Sequence, residues 1–368
     1  MENNHEQQVR VGFFSFVGPN YSRSSTLFNF KNKKIEKIYI HVPGKFPKSL
    51  TWVFRNRRNF GKIDVFVVMS PCHMLAPVLR AFTKKPLILD AGWSLTDGVL
   101  ARGFKFQNLY KLPITFGIDL ISMHAADLVL VESKLQRSRI QKYFALSPKR
   151  IMVSYTGLDE TQFENAADLE EIESPLISEI KEKIFQGGES LVILFRGRVN
   201  RESGFKYICE AARLLKNEAI FIFILGEKDM LPRDLNNVIQ LSNVSSIEMK
   251  KIYEIAHLAI GQISSHPRLN YTIPHKAFEA GYFATPYISA DNAGIREFLN
   301  SEDAVFITQP FTKGLVDSIH KLSKLSAREV YASKINEKYK KQASQFIINH
   351  DFENVLKTLI GSRKYIAD

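Results

Sequence analysis

Two side chains on one predicted helix, Lys276 and Glu279, are suited to holding an anion and a pair of hydroxyl groups. The helix is expected to start at Pro274, because the first turn of a helix needs no N–H from its first residue. Residues three positions apart lie on the same helix face. A phosphate suits the N–H groups and partial positive charge of a helix start, and the lysine adds a full charge. The plain alternative is a solvated ion pair on a helix surface.

Short apolar runs flank this helix on both sides and position it. Residues 257–263 and 285–289 are predicted to be buried strands, and residues 291–294 a turn before the next helix. The small and apolar residues of the helix itself, such as Ala277 and Phe278, indicate close packing on a sheet. The lysine–glutamate pair is therefore expected on a helix that links two strands of one parallel sheet.

The order of residues in this stretch resembles the nucleotide-sugar site of retaining group 1 glycosyltransferases, which are family 4-like enzymes with the GT-B fold. That family shows P-x-K-x-x-E-A, then a strand ending in P-x-I, then G-x-x-E. The matching residues here are Pro274, Lys276, Glu279, Ala280, Pro286, Ile288, Gly294 and Glu297. Many members carry another glutamate eight positions before the helix glutamate, where this chain has Tyr271. The chain fits a bacterial subset with I-P-x-K better.

A second motif follows the predicted strand at 191–195 and resembles the family's G-R-x-x-x-x-K-G, whose arginine and lysine hold the donor diphosphate. Arg198 and Gly204 match, whereas Ser203 stands at the lysine position. The hydroxyl and N–H of Ser203 could still reach a phosphate oxygen, and Arg201 or Lys206 could supply the missing charge. For Arg198 the plain alternative is a surface ion pair.

The resemblance implies further donor contacts at two positions. Val244 lies where the family's backbone groups hold the base, and Glu297 is the last residue of G-x-x-E. Gly18 follows the first predicted strand, 9–17, in a loop that faces the donor in GT-B enzymes, and Arg23 lies a few residues beyond it. An ordinary turn between strand and helix is the alternative for that loop.

Two polar residues of the first half are expected just beyond the ends of predicted strands, where parallel sheets bind ligands. His73 follows the strand at 63–69, and Asp90 follows the strand at 86–89. Both match the bacterial subset, which has P-G-H and D-A-x-x-S-L here. His73 could orient donor or acceptor, and Asp90 could take a proton or hold an acceptor hydroxyl. The alternatives are a satisfied loop histidine and a helix N-cap.

Strands alternate with helices along the whole chain, which predicts an α/β protein with parallel sheets. The resemblance implies the GT-B fold, with two Rossmann-like domains facing a central cleft. We expect an acceptor domain at 1–158, a linker at 159–188 and a nucleotide-sugar-binding domain at 189–344. A final helix at 345–366 is expected to pack back on the first domain.

The positive charge of the chain is concentrated in its first part. The 368 residues have a net charge of +12, yet residues 1–150 hold 24 Lys and Arg against 9 Asp and Glu, or +15. Such a basic region is typical of nucleic-acid, anionic-membrane or acidic-substrate binding. Since no nucleic-acid motif is present, we predict an anionic membrane surface, with the cation–aromatic segment Lys45–Lys62 as the contact. A solvated basic surface or an ordinary amphipathic helix would look similar.

Other features of the sequence bear on compartment and cofactors. Cys72 and Cys209 form no disulfide framework or metal motif, which fits a reducing cytoplasm. No signal peptide follows the polar N-terminus, and the apolar run at 112–123 is too short to span a bilayer. We therefore expect a cytoplasmic protein, peripheral on the inner face of the plasma membrane. Neither a cofactor nor a metal is predicted, and no Asp-x-Asp occurs.

The resemblance implies a retaining glycosyltransferase of the hexosyltransferase type, which we expect to be metal-independent. It would move a sugar from a nucleotide diphosphate sugar to a cell-surface glycan or lipid-linked acceptor, as in polysaccharide biosynthesis. Its main catalytic task is to stabilise the departing diphosphate, a role for Arg198 helped by Lys276, while Glu279 holds the ribose. The alternatives are an epimerase of the same fold, an inactive sugar-nucleotide-binding protein and a nucleic-acid binder.

Overall fold

The structure is a computed structural model, and its described residues are 8–19, 22–30, 32–43, 47–102, 110–164, 174–186, 188, 190–226 and 231–364. The chain divides into two units. The first unit contains Met1–Gly157 and Gln345–Asp368, and the second contains Leu158–Ser344. Lys45, the first residue of the predicted membrane segment, lies outside the described residues.

The first unit is built on a parallel sheet of six short strands. Their bounds are β1 (Val9–Ser15), β2 (Ile35–His41), β3 (Val65–Val68), β4 (Leu87–Gly92), β5 (Leu128–Val131) and β6 (Ile151–Val153). The strands lie in the order β2-β1-β3-β4-β5-β6. The central strands consist of apolar residues buried on both faces, as a parallel sheet covered by helices requires.

Helices cover both faces of this sheet. They are α1 (Ser22–Phe28), α2 (Lys48–Asn56), α3 (Leu75–Phe82), α4 (Leu95–Leu100), α5 (Lys111–Ala125), α6 (Lys134–Phe144) and, at the chain's end, α15 (Gln345–Lys364). One core joins the sheet to α2, α3, α5 and α6, and the other joins it to α1 and α15. In the second core Phe352 packs against the rings of Phe13 and Phe30. The final helix thus belongs to the core of the first unit.

The second unit has a parallel six-stranded sheet of its own. Its strands are β7 (Leu191–Arg196), β8 (Ala219–Ile224), β9 (Val238–Leu241), β10 (Leu258–Ile260), β11 (Tyr287–Ala290) and β12 (Val305–Ile307). Their order is β12-β11-β10-β7-β8-β9. Because β7 and β10 are neighbours, the loops that follow these two strands lie side by side at one edge of the sheet.

Eight helices are described in the second unit. They are α7 (Thr161–Glu164), α8 (Pro175–Gln186), α9 (Phe205–Leu214), α10 (Ser246–Ile255), α11 (His275–Tyr282), α12 (Ala293–Phe298), α13 (Phe311–Lys321) and α14 (Leu325–Gln342). The predicted linker at 159–188 supplies α7 and α8, and parts of it, 165–173 and 187, lie outside the described residues. In the described ranges no helix is long and apolar enough to cross a bilayer.

The predicted fold class is confirmed, since the twelve described strands form two parallel sheets, each with helices packed on it. The strands are mostly shorter than predicted, because flanking apolar residues pack in loops. One placement was wrong. Asp90 lies inside β4 rather than beyond its end, since β4 continues to Gly92.

Candidate functional site

The loop after β7 brings two arginines to the edge of the second sheet. Arg196 is the last residue of β7, and Arg198 follows it after Gly197. Arg198 is exposed and makes neither a hydrogen bond nor an ion pair with the described part of the chain. The expected alternative for Arg198, a surface ion pair, is therefore absent from the described residues, and its guanidinium is available to a ligand.

The same loop closes in a tight turn that contains Ser203. The Ser203 N–H donates to Asn200 Oδ1 at 2.8 Å, and the Ser203 hydroxyl donates to the Asn200 carbonyl at 2.8 Å. Both groups that could have served a phosphate thus hold the turn. Gly204 follows with φ +65°, and a Cβ there would lie 1.7 Å from the Ile263 carbonyl oxygen. Only glycine allows this approach of the loop after β7 to the chain after β10.

Lys276 lies in the first turn of α11, where Pro274 is the N-cap. Its side chain is buried, with Nζ 3.9 Å from the centroid of the Phe195 ring and 3.4 Å from the Gly261 carbonyl. Burial lowers the pKa of Lys276 to about 7, and the charge of Arg196 adds to this effect. An anion bound here would favour the charged form of the lysine.

Glu279 is buried one turn further along α11, with three partners for its carboxylate. Arg196 forms an ion pair with Oε1, and the Tyr253 hydroxyl donates to Oε2 at 3.0 Å. The His275 Nδ1 lies 3.1 Å from Oε1. Burial, together with Arg196, lowers the pKa of His275 to about 4, so the neutral ring donates from Nδ1. Its buried Nε2 then has no partner among the described residues.

Lys276 and Glu279 therefore do not form a solvated surface pair. The structure brings them together with Arg196 around the start of α11, next to the loop that carries Arg198. Sequence reasoning did not single out Arg196, Tyr253 or His275. The only available signal was the position of Arg196 at a strand end beside a glycine, since nothing local to Tyr253 or His275 indicates a role.

The remaining predicted donor contacts of this unit lie on neighbouring elements. Val244 is half-buried and precedes Ser245, which caps α10 in a reciprocal hydrogen-bonded box with Glu248. Glu297 is half-buried on α12. A Cβ at Gly294 would lie 2.4 Å from two carbonyl oxygens of the turn before α11, so α12 packs directly on that turn.

A cavity of about 860 Å³ adjoins the other side of the loop after β7. It is lined by Asn200, Arg201, Gly204, Lys206, Ser264 and His266, together with other residues of α9 and Phe311. Lys276, Glu279 and Arg196 are not among the lining residues. Arg201 and Lys206, the predicted substitutes for the missing lysine, therefore face this cavity rather than the buried carboxylate.

In the first unit, the predicted residues differ in their surroundings. His73 is fully buried, and both ring nitrogens lack a hydrogen-bond partner among the described residues. Asp90 is buried in an ion pair, with Oδ1 2.6 Å from Arg23 Nη2, and Arg23 also donates to the Ser154 carbonyl at 2.8 Å. Asp90 is not a helix N-cap, since Ser94 caps α4.

Gly18 is exposed, and a Cβ added there would meet no atom within 4 Å.

Metal-binding clusters were also sought in the part of the chain that the structure describes. No three His, Cys, Asp or Glu side chains come together there in a way that could hold a metal ion.

Comparison with known proteins gives a family match and a fold match. Residues 177–345 match the family described as glycosyl transferases group 1. The structure of Anabaena Alr3699/HepE in complex with UDP-glucose is 14% identical, with a TM-score of 0.69, covering 95% of this chain and 100% of that one. No curated protein matches the sequence.

Two other solved structures share the fold over a similar extent. WaaG, a glycosyltransferase involved in lipopolysaccharide biosynthesis, is 14% identical with a TM-score of 0.63, covering 95% of this chain and 99% of that one. A glycosyltransferase from Rickettsia africae ESF-5 is 11% identical with a TM-score of 0.67, covering 96% and 99%. The chain therefore has the GT-B fold of these solved structures, and its match to the group 1 glycosyltransferase family covers residues 177–345.

Proposed function

We propose that this protein transfers a sugar from a nucleotide diphosphate sugar to an acceptor hydroxyl, with retention at the anomeric carbon and without a metal. The observation that carries the proposal is the charge around α11. Arg196, Arg198 and Lys276 lie near one buried carboxylate, Glu279, so the site has an excess of positive charge. A diphosphate would balance that excess, and the complex of the Anabaena protein with UDP-glucose agrees with such a donor.

The proposed chemistry follows from this charge. The bond between the anomeric carbon and the diphosphate oxygen breaks, and the electron pair leaves with the diphosphate. The acceptor oxygen forms the new bond to that carbon and gives up its proton to the oxygen of the departing diphosphate. Arg198 and Lys276 would stabilise the charge that develops on the leaving group, which is the largest contribution such sites make. Glu279 would hold hydroxyls of the donor's ribose.

The acceptor is proposed to bind in the first unit beside His73, whose fully buried ring must be uncovered before the acceptor can contact it. A buried polar group without a hydrogen-bond partner costs about 1–3 kcal/mol of folding stability. The two unpaired ring nitrogens of His73 therefore favour a ligand that can form hydrogen bonds with them. Asp90 is already paired with Arg23, and this ion pair would stabilise the same edge of the sheet. Asp90 would also hold an acceptor hydroxyl. A glycan or a lipid-linked sugar is the proposed acceptor class, which agrees with the involvement of WaaG in lipopolysaccharide biosynthesis.

An apolar–basic face of the first unit supports a peripheral location on an anionic membrane. It is formed by α2, α3 and α5, which lie side by side. Its exposed apolar residues are Leu50, Phe54, Phe82, Ile114, Phe116 and Ile121. Exposed cations surround Phe54, and no Asp or Glu occurs at 38–63 or 65–89. Apolar side chains among cations, without acids, suit the headgroup region of anionic lipids on the cytoplasmic leaflet.

The donor is tested by a thermal-shift screen with a panel of nucleotide sugars, because a ligand of the folded state raises the melting temperature. The stabilising donor is then incubated with glycan and lipid-linked acceptors, and the anomeric configuration of the product is determined by NMR. Transfer that persists in EDTA supports metal independence. Turnover of the donor without an acceptor would favour the epimerase, and binding without any turnover would favour an inactive binding protein.

Binding of the protein to membranes is tested by co-sedimentation with neutral and anionic vesicles at low and high salt. We expect binding that needs anionic lipid and weakens with salt, since screening acts over about 10 Å at 0.1 M. The variant Phe54→Ser with Ile121→Ser should bind less, whereas the matched control Phe185→Ser, an exposed phenylalanine of α8, should bind like the wild type. Equal binding of the wild type to both lipids, or to neither, contradicts the proposal.

A further inference from the structure

The carboxylate of Glu279 is fully occupied in the structure, although donor binding would need it to accept hydroxyls. Arg196 and His275 contact Oε1, and the Tyr253 hydroxyl contacts Oε2. With its side chain only 2% exposed, Glu279 has no further face open to a ligand. One of the three partners must therefore leave before a donor hydroxyl can reach this carboxylate.

Arg196 is the partner that can leave most easily. Tyr253 is buried and stacks on the Phe283 ring at a centroid distance of 4.5 Å. His275 lies on the same helix as Glu279, four residues earlier, so it stays beside the carboxylate. The Arg196 side chain, in contrast, is 41% exposed. Its guanidinium can turn into solvent, and Glu279 then keeps its contacts with Tyr253 and His275.

A donor diphosphate would offer Arg196 a new partner close by. The charge of Arg196 acts on Lys276, which lies beside Gly197, with Nζ 3.2 Å from a Cβ position on that glycine. The serine at the family's lysine position cannot replace that lysine, because its hydroxyl and N–H are used within the turn. Arg201 and Lys206 line the cavity on the other side of the loop. Among these cations, Arg196 is the one positioned on the buried carboxylate's side.

We propose that Arg196 is a ligand of the donor's diphosphate that rests on Glu279 in the free protein and moves to the diphosphate when the donor binds. The move would uncover an oxygen of Glu279 for the ribose hydroxyls. This inference rests on the proposed function, and it gives Arg196 the task that a lysine performs in the family pattern. The arginine's planar group of donors suits a diphosphate, which it can contact through two N–H bonds at once.

The proposed exchange predicts that removal of Arg196 changes the affinity for charged and uncharged ligands differently. A nucleoside has the ribose hydroxyls but no phosphate, so it cannot draw Arg196 away from Glu279 and should bind weakly. A nucleoside diphosphate has both groups and binds with the exchange. Removal of Arg196 should therefore have opposite effects on the two ligands, since it takes away a phosphate contact and uncovers Glu279. A purely structural role of Arg196 would weaken both.

The test compares wild type, Arg196→Ala, Arg196→Gln and Arg198→Ala by titration calorimetry. The probes are UDP, GDP and ADP, followed by the nucleoside of whichever diphosphate binds. For Arg196→Ala and Arg196→Gln we expect diphosphate affinity to fall about tenfold or more, while nucleoside affinity rises because Glu279 is uncovered. Arg198→Ala is the matched control, because its loss should weaken the diphosphate and leave the nucleoside unchanged without uncovering Glu279.

Two results would overturn the exchange. One is unchanged diphosphate affinity in folded Arg196→Ala and Arg196→Gln, and the other is nucleoside affinity that stays the same or falls in both variants. Far-ultraviolet circular dichroism and a cooperative thermal transition establish that each variant is folded. If the wild type binds none of the three nucleoside diphosphates, the proposed function itself fails and the exchange fails with it.

Discussion

Two buried carboxylates, Asp90 in the first unit and Glu279 in the second, are each paired with an arginine, but the arginines differ in exposure. The side chains of Arg23 and Asp90 are 4% and 0% exposed. Those of Arg196 and Glu279 are 41% and 2% exposed. Arg23 also donates to the Ser154 carbonyl, whereas Arg196 reaches Glu279 from the solvent side.

The difference in exposure of the cation decides what each pair can do. If Arg23 moved away, two charges would remain in a region without water, and each would lose its partner. Arg196 can instead turn into solvent, and Glu279 keeps its bonds to Tyr253 and His275. The same two chemical groups thus hold the fold in the first unit and form an exchangeable contact in the second.

Substitution of Arg23 is the most direct test of the difference between the two ion pairs. The change Arg23→Met leaves Asp90 buried without its partner, and we expect a loss of about 3–5 kcal/mol in the free energy of unfolding of the first unit. Arg196→Met, the matched change in the second unit, should cost less, about 1–3 kcal/mol, because buried Glu279 keeps its contacts with Tyr253 and His275. Chemical denaturation is followed by tryptophan fluorescence for the first unit, which holds both tryptophans, Trp52 and Trp93, and by far-ultraviolet circular dichroism for the whole chain.

The double change Arg23→Met with Asp90→Leu serves as the control for the loss of charge. Because an apolar pair of similar volume is often as stable as a buried ion pair, the double variant should recover most of the lost free energy. Equal destabilisation by Arg23→Met and Arg196→Met would show that exposure does not separate the two pairs.

The loops near the two arginines should also differ in their tolerance of a methyl group. At Gly204 an added Cβ meets the Ile263 carbonyl at 1.7 Å, and φ is +65°. We expect Gly204→Ala to destabilise the second unit by roughly 2–4 kcal/mol, from overpacking and backbone strain combined. Gly18→Ala, where nothing lies within 4 Å, should change stability by less than about 0.5 kcal/mol.

Thermal unfolding followed by calorimetry measures both glycine variants. A normal melting curve for Gly204→Ala would mean that the loop after β7 can move away from the chain after β10. A large loss for Gly18→Ala would show that its loop is as constrained as the one in the second unit.

Much of the fold could be predicted because its signals are local. Each strand is a short apolar run, and each run is followed by turn residues and a helical stretch. The order of the strands and the membership of α15 in the first unit depend on contacts distant in sequence, such as that of Phe352 with Phe13. For these the family resemblance, rather than periodicity, was the guide.

The candidate site was predictable only where its residues lie in a continuous pattern. Lys276 and Glu279 share a helix, so their spacing already places them together. Arg196 and Tyr253 are 83 and 26 residues from Glu279, and only the packing of β7 and α10 beside α11 brings them to it. The strand predicted at 86–89 ends at Leu89, which puts Asp90 beyond it. The fully buried Arg23 provides the partner that makes that position possible.

A third arginine, Arg198, extends the comparison, because it has no carboxylate partner among the described residues. Arg198 is exposed and makes no ion pair within the described residues, so Arg198→Ala should leave the melting temperature unchanged, in contrast to Arg23→Met. Donor affinity should nevertheless fall by about 1.5–3 kcal/mol, the value of a hydrogen bond to a charged group. Calorimetric titration with the nucleotide sugar measures it, and wild-type affinity in the folded variant would remove Arg198 from the site.

The pH dependence of donor binding should reveal the smallest of these effects, the charge state of Lys276. In the free protein its pKa is lowered to about 7, first by burial and then by Arg196. A bound diphosphate favours the ammonium form and raises that pKa. Below pH 7 the lysine is charged with or without donor, so affinity should be constant. Above pH 7 each binding event takes up a proton, and affinity should fall by up to about tenfold per pH unit.

Neither neighbour of Lys276 should contribute to this slope. His275, whose pKa is lowered to about 4, stays neutral above pH 6, and arginines stay charged throughout. Lys276→Arg therefore serves as the control, because it keeps a cation that does not titrate. A nucleotide sugar is the better probe, since its diphosphate is esterified at both ends. Proton uptake is measured by calorimetry in buffers of different ionisation enthalpy. If wild type and Lys276→Arg lose affinity equally above pH 7, the lysine is not the titrating group, and the loss must come from elsewhere in the protein.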